Sequence, residues 1–227
     1  MKLALLLPQF APNLYDLAIM LNADRVILAD EEQWSRKSRV HRAKIREPNG
    51  TLWINIPVRT EDRNKAIKEV RIDHGEDWIT PLLRSLEYNY RNSIYYDFYE
   101  PEIRADFESA ADYEYLLPFV LHIQKRLLQF LELEQQISRE LSSEVPEYHS
   151  DPDEFARRLG ARTLYQEHDS RHYLRQAETG IKAELPFEHP TYHQHFEGFE
   201  PLCSILDLLF QFGPESFRIT DLLVIEG

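Results

Sequence analysis

The chain has 227 residues, 43% of them hydrophobic, one cysteine and a formal net charge of -13. That length supports a substantial core without disulfide or metal staples. A single cysteine rules out an intramolecular disulfide, and the acidic balance argues against nucleic acid as a partner.

The opening apolar run, Leu3 to Leu7, is stopped by Pro8-Gln9. It reads as a buried first strand, Lys2–Leu7, and not as a signal segment. Asn13 then caps a short helix over Leu14–Leu21, and Arg25–Leu28 forms a second strand ending at Ala29-Asp30. Strand, helix and strand within thirty residues imply a parallel pair with a right-handed crossover. Ligands of such sheets bind beyond the carboxyl ends of the strands, here at Gln9 and at Asp30.

From Arg36 to Arg46 the chain carries six Lys or Arg side chains and His41, with no carboxylate. Arg36, Arg39 and Arg42 recur every third residue, which on a helix places them on one face as a clamp for phosphate or carboxylate. The competing reading is a solvated basic turn that offsets Asp30 and Glu31. Asn49-Gly50 supplies hairpin turn residues before a strand over Thr51–Val58, and Ala66–Ile72 is a weaker strand.

Helices are expected over Asp77–Asn92, with Pro81 in the first turn, over Ile94–Ala110 and over Tyr115–Leu131. The last is too polar to cross a bilayer, so a cytoplasmic protein with no membrane span is expected. Asp151 and Asp153 open a helix over Pro152–Leu159 that Gly160 stops, and Thr163–Gln166 returns to the sheet. Thr179–Leu185 reads as an edge strand and Pro201–Phe212 as a helix closed by Gly213. Within that helix Asp207 sits among apolar residues, so it should be buried and hydrogen-bonded. Cys203 reads as core.

His189, His193 and His195 have spacings that can serve zinc, but Pro190 interrupts them and no further ligand is near, so no metal site is expected. His193 is instead a general-base candidate, with Tyr192 and Gln194 lining its pocket. A polar loop leading to the Pro201 helix is the plainer account of the same residues. No glycine-rich nucleotide motif and no hydrolase elbow occurs, so Rossmann cofactor binding, a P-loop and a standard hydrolase elbow lack support, and the cofactor is unknown.

Four blocks carry a resemblance to a known family. They are Pro8-Gln9-Phe10-Ala11-Pro12; Gln33-Trp34-Ser35-Arg36-Lys37-Ser38 with His41-Arg42 and Ile45; Pro48-Asn49-Gly50 with Pro57-Val58; and Tyr192-His193-Gln194 with Phe199, Pro201-Leu202-Cys203-Ser204-Ile205-Leu206-Asp207-Leu208-Leu209-Phe210 and Gly213. Together they resemble the WbqC-like proteins of bacterial surface-polysaccharide and O-antigen synthesis. The chain departs from the family pattern at the plain Ala11-Pro12-Asn13 stretch and at His41, where many relatives have Asn.

The resemblance implies acyl or aminoacyl transfer to an activated amino sugar. Residues and resemblance together lead to one expectation: a single α/β domain over 1–227. Its N-terminal sheet is mostly parallel, a helical insertion spans roughly 76–142, and a C-terminal part returns to the sheet. The expected substrate is an anionic small molecule, a nucleotide sugar or an acyl carrier. Gln9, Arg36, Arg39, His41, Arg42, Tyr192 and Gln194 are expected to bind it, with His193 and Asp30 at the reacting groups. The alternative is a non-catalytic binding or assembly protein of the same pathway.

Overall fold

The structure, a computed structural model, describes residues 1–167, 177–178 and 180–225. Strand β1 (Lys2–Leu6), helix α1 (Leu14–Asn22) and strand β2 (Arg25–Leu28) form the expected parallel unit, with Leu3 opposite Arg25 and Leu6 opposite Leu28. Asn13 Oδ1 accepts from the Asp16 amide at 3.0 Å and so starts α1, as its place before an apolar run predicts.

A hairpin of β3 (Arg42–Glu47) and β4 (Gly50–Asn55) follows. Next come α2 (Ile79–Tyr90), α3 (Tyr96–Glu108) and α4 (Leu116–Phe130). The chain then adds β5 (Arg139–Leu141), α5 (Pro152–Arg158) and β6 (Thr163–Gln166), and closes through α6 (Ile205–Phe212) and the short α7 (Phe217–Thr220).

The main sheet is parallel throughout, in the order β5-β2-β1-β6. The chain builds outward from β1 to β2 and β5, then crosses back through α5 to β6 on the other side of β1. Right-handed crossovers running in opposite directions place α1 and α5 on opposite faces. They leave a topological switch point at the carboxyl ends of β1 and β6.

Several expected elements take other forms. Residues 36–41 are turns, and 42–46 belong to β3, so Arg36, Arg39 and Arg42 share no helical face. The period-two alternation Arg42-Ala43-Lys44-Ile45-Arg46 is the strand signal, with Ala43 and Ile45 buried and Arg42 and Lys44 on the opposite side. The hairpin turns at Pro48-Asn49, with Glu47 opposite Gly50. Pro48 locks a negative φ, which excludes the type I′ geometry expected of Asn49-Gly50, and Gly50 takes φ +141° instead.

Ala66–Ile72 holds only isolated bridges around a 3-10 turn at Ile67–Glu69. The expected edge strand from Thr179 begins outside the described residues. Beyond it only Lys182 bridges, to Leu164.

Asp207 meets the expectation set for a carboxylate in an apolar run. It is fully buried, with Tyr90 Oη donating to Oδ1 at 3.0 Å, and Tyr192 Oη and Gln194 Nε2 donating to Oδ2 at 2.9 and 3.1 Å. Tyr90 Oη in turn accepts from the Arg46 amide at 2.9 Å, so one side chain joins α2, α6, β3 and the segment before α6. Burial raises the pKa of Asp207, and the three donors oppose that rise. Asp207→Leu leaves three buried donors without an acceptor. It should lower unfolding free energy by about 3 kcal/mol or more, measured by denaturant titration; an unchanged midpoint would remove this network from the fold's determinants.

Candidate functional site

Four polar residues from separate segments meet at the switch point. The parallel ladder between β1 and β6 ends with Leu5 opposite Gln166. Glu167 then turns its side chain back so that Oε1 accepts the Leu7 amide at 2.8 Å, occupying the donor a longer β6 would have taken. Gln9 Nε2 donates to Asp16 Oδ2 at 3.1 Å and to Glu167 Oε1 at 3.4 Å. Arg39 reaches in from the turn segment and pairs with Asp16 Oδ2 at 3.1 Å and Glu167 Oε2 at 3.3 Å. Asp16 and Glu167 are almost wholly buried.

Among the described residues, two carboxyls of this cluster face one guanidinium. Burial raises the Glu167 pKa to about 7, Arg39 opposes the rise, and Asp16 adds to it. A carboxyl held near neutrality among fixed charges can take up or release a proton at physiological pH.

Gln9 and Arg39 also form part of the wall of a cavity of about 90 Å³. Arg42 and Lys44 of β3 and Trp53 of β4 line it as well. The Arg42 guanidinium carbon stands 4.4 Å from the Trp53 ring centroid and Lys44 Nζ 5.5 Å, close enough for cation–π attraction. Arg42 donates to the carbonyls of Ser38, at 3.1 Å, and Lys37, which orient it without neutralising it. Asn13, Leu202 and Ser204 complete the rim, and Leu202 holds a left-handed φ of +65°, uncommon for a bulky side chain.

Gln9, Arg39 and Arg42 therefore come together as the sequence suggests, but the other expected residues lie elsewhere. The Asp30 carboxylate points toward β5, accepting Ser142 Oγ at 2.7 Å, Ser143 N at 2.9 Å and Ser143 Oγ at 2.6 Å. It secures the one-turn helix after β5, because the switch point is between β1 and β6 and not between β1 and β2. Tyr192 and Gln194 face Asp207 and not the cavity, and His193 is exposed on the chain between them.

Arg36 and His41 border a different cavity, of about 390 Å³. His41 is buried with its Nδ1 accepting from Trp34 Nε1 at 3.3 Å. Burial first, and the Arg42 charge second, bring its pKa down to about 4, so it is neutral at physiological pH. No three metal-ligating side chains converge among the described residues. Glu167 was missed, although the rule that pointed to Asp30, a carboxylate just past a parallel strand, applies equally to the residue after Thr163–Gln166.

The model of the WbqC-like protein family matches residues 8–219. The chain belongs to that family. Gln9, Asp16, Arg39, Arg42, Glu167 and Ser204 all fall within the matched span of this WbqC-like protein. An uncharacterized protein of Mycobacterium tuberculosis is similar to it, at 28% identity over 213 residues that cover 85% of this chain and 86% of the relative. No solved structure matches.

Glu167 makes stability depend on pH. Its pKa is higher in the folded chain than the ordinary 4.5, so between those values the folded state binds more protons than the unfolded state. Its contribution is fully present below about pH 4.5 and is lost as pH rises through 7. The stability difference between wild type and Glu167→Gln should shift in favour of the variant by on the order of 2 kcal/mol from pH 5 to pH 8, measured by denaturant titration. A difference independent of pH would mean that Glu167 stays ionised throughout.

Proposed function

We propose that this protein is a transferase of bacterial surface-polysaccharide synthesis, moving an acyl or aminoacyl group onto an activated, anionic amino sugar. One observation carries the reading: the cation-lined cavity and the Gln9–Asp16–Arg39–Glu167 cluster adjoin at the switch point, where open parallel sheets bind ligands. Membership of the WbqC-like family supports the pathway. In this reading Gln9, Arg39 and Arg42 contact the substrate. Asp16 and Glu167 act through Arg39 and Gln9 as positioning residues, and the Glu167 proton sets the net charge behind the cavity. Transfer forms an amide bond between the sugar nitrogen and the acyl carbon and breaks the bond from that carbon to its activated carrier, the amine proton leaving with the released carrier.

A second reading, an assembly protein of the same pathway, has its own support. Tyr88, Ile94 and Phe98, around the turn from α2 to α3, are 71%, 79% and 67% exposed, and large exposed apolar side chains mark contact surfaces when they form a patch.

The test is a panel of nucleotide-activated amino sugars, followed first by melting temperature and then, with activated acyl donors added, by mass spectrometry of the sugar. At least one sugar should raise the melting temperature and gain the acyl mass. Arg42→Ala should weaken that binding about tenfold while shifting the unliganded melting temperature little, since a partly exposed arginine bonded to carbonyls adds little to stability. A panel without any binder overturns the transferase and leaves the assembly protein.

A further inference from the structure

Ser204 occupies the N-cap position of α6, with φ -67° and ψ 162°, the backbone in which a serine hydroxyl ordinarily accepts from the first helical turn. Its hydroxyl does not do so. The Asp207 amide goes to the Ser204 carbonyl at 2.9 Å, and Oγ, buried in a residue only 2% exposed, has no hydrogen-bond partner among the described residues. An unpaired buried hydroxyl in a folded protein calls for an explanation, a bound water or ion being one. Ser204 lines the same cavity as Arg42 and Lys44.

Its position there is tightly determined. The Ser204 amide donates to the Lys44 carbonyl at 2.7 Å, and the Ile205 amide to the Pro12 carbonyl at 2.9 Å, which staples the start of α6 between β3 and the segment before α1. Neither Arg42 nor Lys44 forms an ion pair with a carboxylate among the described residues, whereas Arg39 is held by two. The nearby Asp207 carboxylate is occupied by Tyr90, Tyr192 and Gln194.

We infer that this cavity is a phosphate subsite, in which Ser204 Oγ, Arg42 and Lys44 donate to one tetrahedral oxyanion at the N-terminus of α6. Its volume of about 90 Å³ admits several waters or one such group. A hydroxyl, a guanidinium and an ammonium from separate segments suit an ion with several equivalent oxygens, and the positive end of the helix dipole reinforces them. The inference rests on the anionic-substrate reading above and narrows it to a phosphate ester, with Ser204 and Lys44 as added ligands.

Inorganic phosphate, pyrophosphate and acetate, titrated calorimetrically at constant ionic strength into wild type, Ser204→Ala and Lys44→Gln, provide the test. Wild type should bind phosphate or pyrophosphate and not acetate. Ser204→Ala should bind roughly tenfold more weakly, yet melt at the same or a higher temperature without ligand, because it removes a hydroxyl that bonds to nothing. Lys44→Gln should also bind more weakly. Equal phosphate binding by wild type and Ser204→Ala, equal binding of acetate, or a lower unliganded melting temperature for Ser204→Ala would each overturn the subsite.

The two readings fail separately. Serine-dependent phosphate binding without acyl transfer removes only the transferase, whereas acyl transfer without serine-dependent phosphate binding removes only the subsite.

Discussion

One guanidinium between two buried carboxylates joins the parts of this protein that matter for its site. Arg39 belongs to the turns before β3, Asp16 to the first turn of α1, and Glu167 to the residue after β6. None of the three can be buried alone, since an unpaired charge at this depth costs several kcal/mol. The pairing therefore fixes where the turn segment lies against the sheet, and with it where β3 begins. Arg42 and Lys44 come to line one cavity with Gln9, on a strand that follows the anchored Arg39.

The same constraint explains how the basic run is divided. Six cations in eleven residues look like one feature in sequence, yet they perform different tasks. Arg39 is neutralised from below, and Arg36 borders a separate cavity beside a neutral His41. Arg46 is buried, giving its donors to the carbonyls of Glu47, Gly50 and Glu197 and lying over Phe196. Among the described residues, only Arg42 and Lys44 line the cavity with no carboxylate against them. Strand geometry makes that division, because alternation sets 42, 44 and 46 on one side of β3, and burial then separates 46 from the other two.

Much of the scaffold was legible in the sequence because the signals were local. Asn13 before an apolar run, Pro152 after Asp151 and Gly213 after α6 each mark a helix boundary through their own backbone chemistry. The four parallel strands were read less completely, since three-residue β5 is too short to show a period. The candidate site is half legible. Gln9, Arg39 and Arg42 share one cavity as their types and places suggest, but Asp30 bonds to Ser142 and Ser143 instead, because sequence cannot say on which side of β1 the sheet changes direction. Glu167 and Ser204 stay hidden for a different reason. Their places in the candidate site arise from contacts to residues well over a hundred positions away, Leu7 for one and Lys44 for the other.

The chain's overall charge limits how an anionic ligand can be held. A net charge of -13 repels an approaching anion out to about the Debye length of roughly 8 Å, so electrostatic steering works against association. Attraction must come from groups at contact distance in a recess where water is scarce. That favours a site whose cations are oriented before the ligand arrives, as the Ser38 and Lys37 carbonyls and the Trp53 ring orient Arg42. It also favours leaving a donor such as Ser204 Oγ unsatisfied in the empty state, because its desolvation is then already complete when the ligand binds. Added salt screens the distant acids more than the contacts inside the recess. Association of an anion should accordingly quicken with modest salt while its dissociation changes less, the reverse of the pattern for a protein that attracts anions through its net charge.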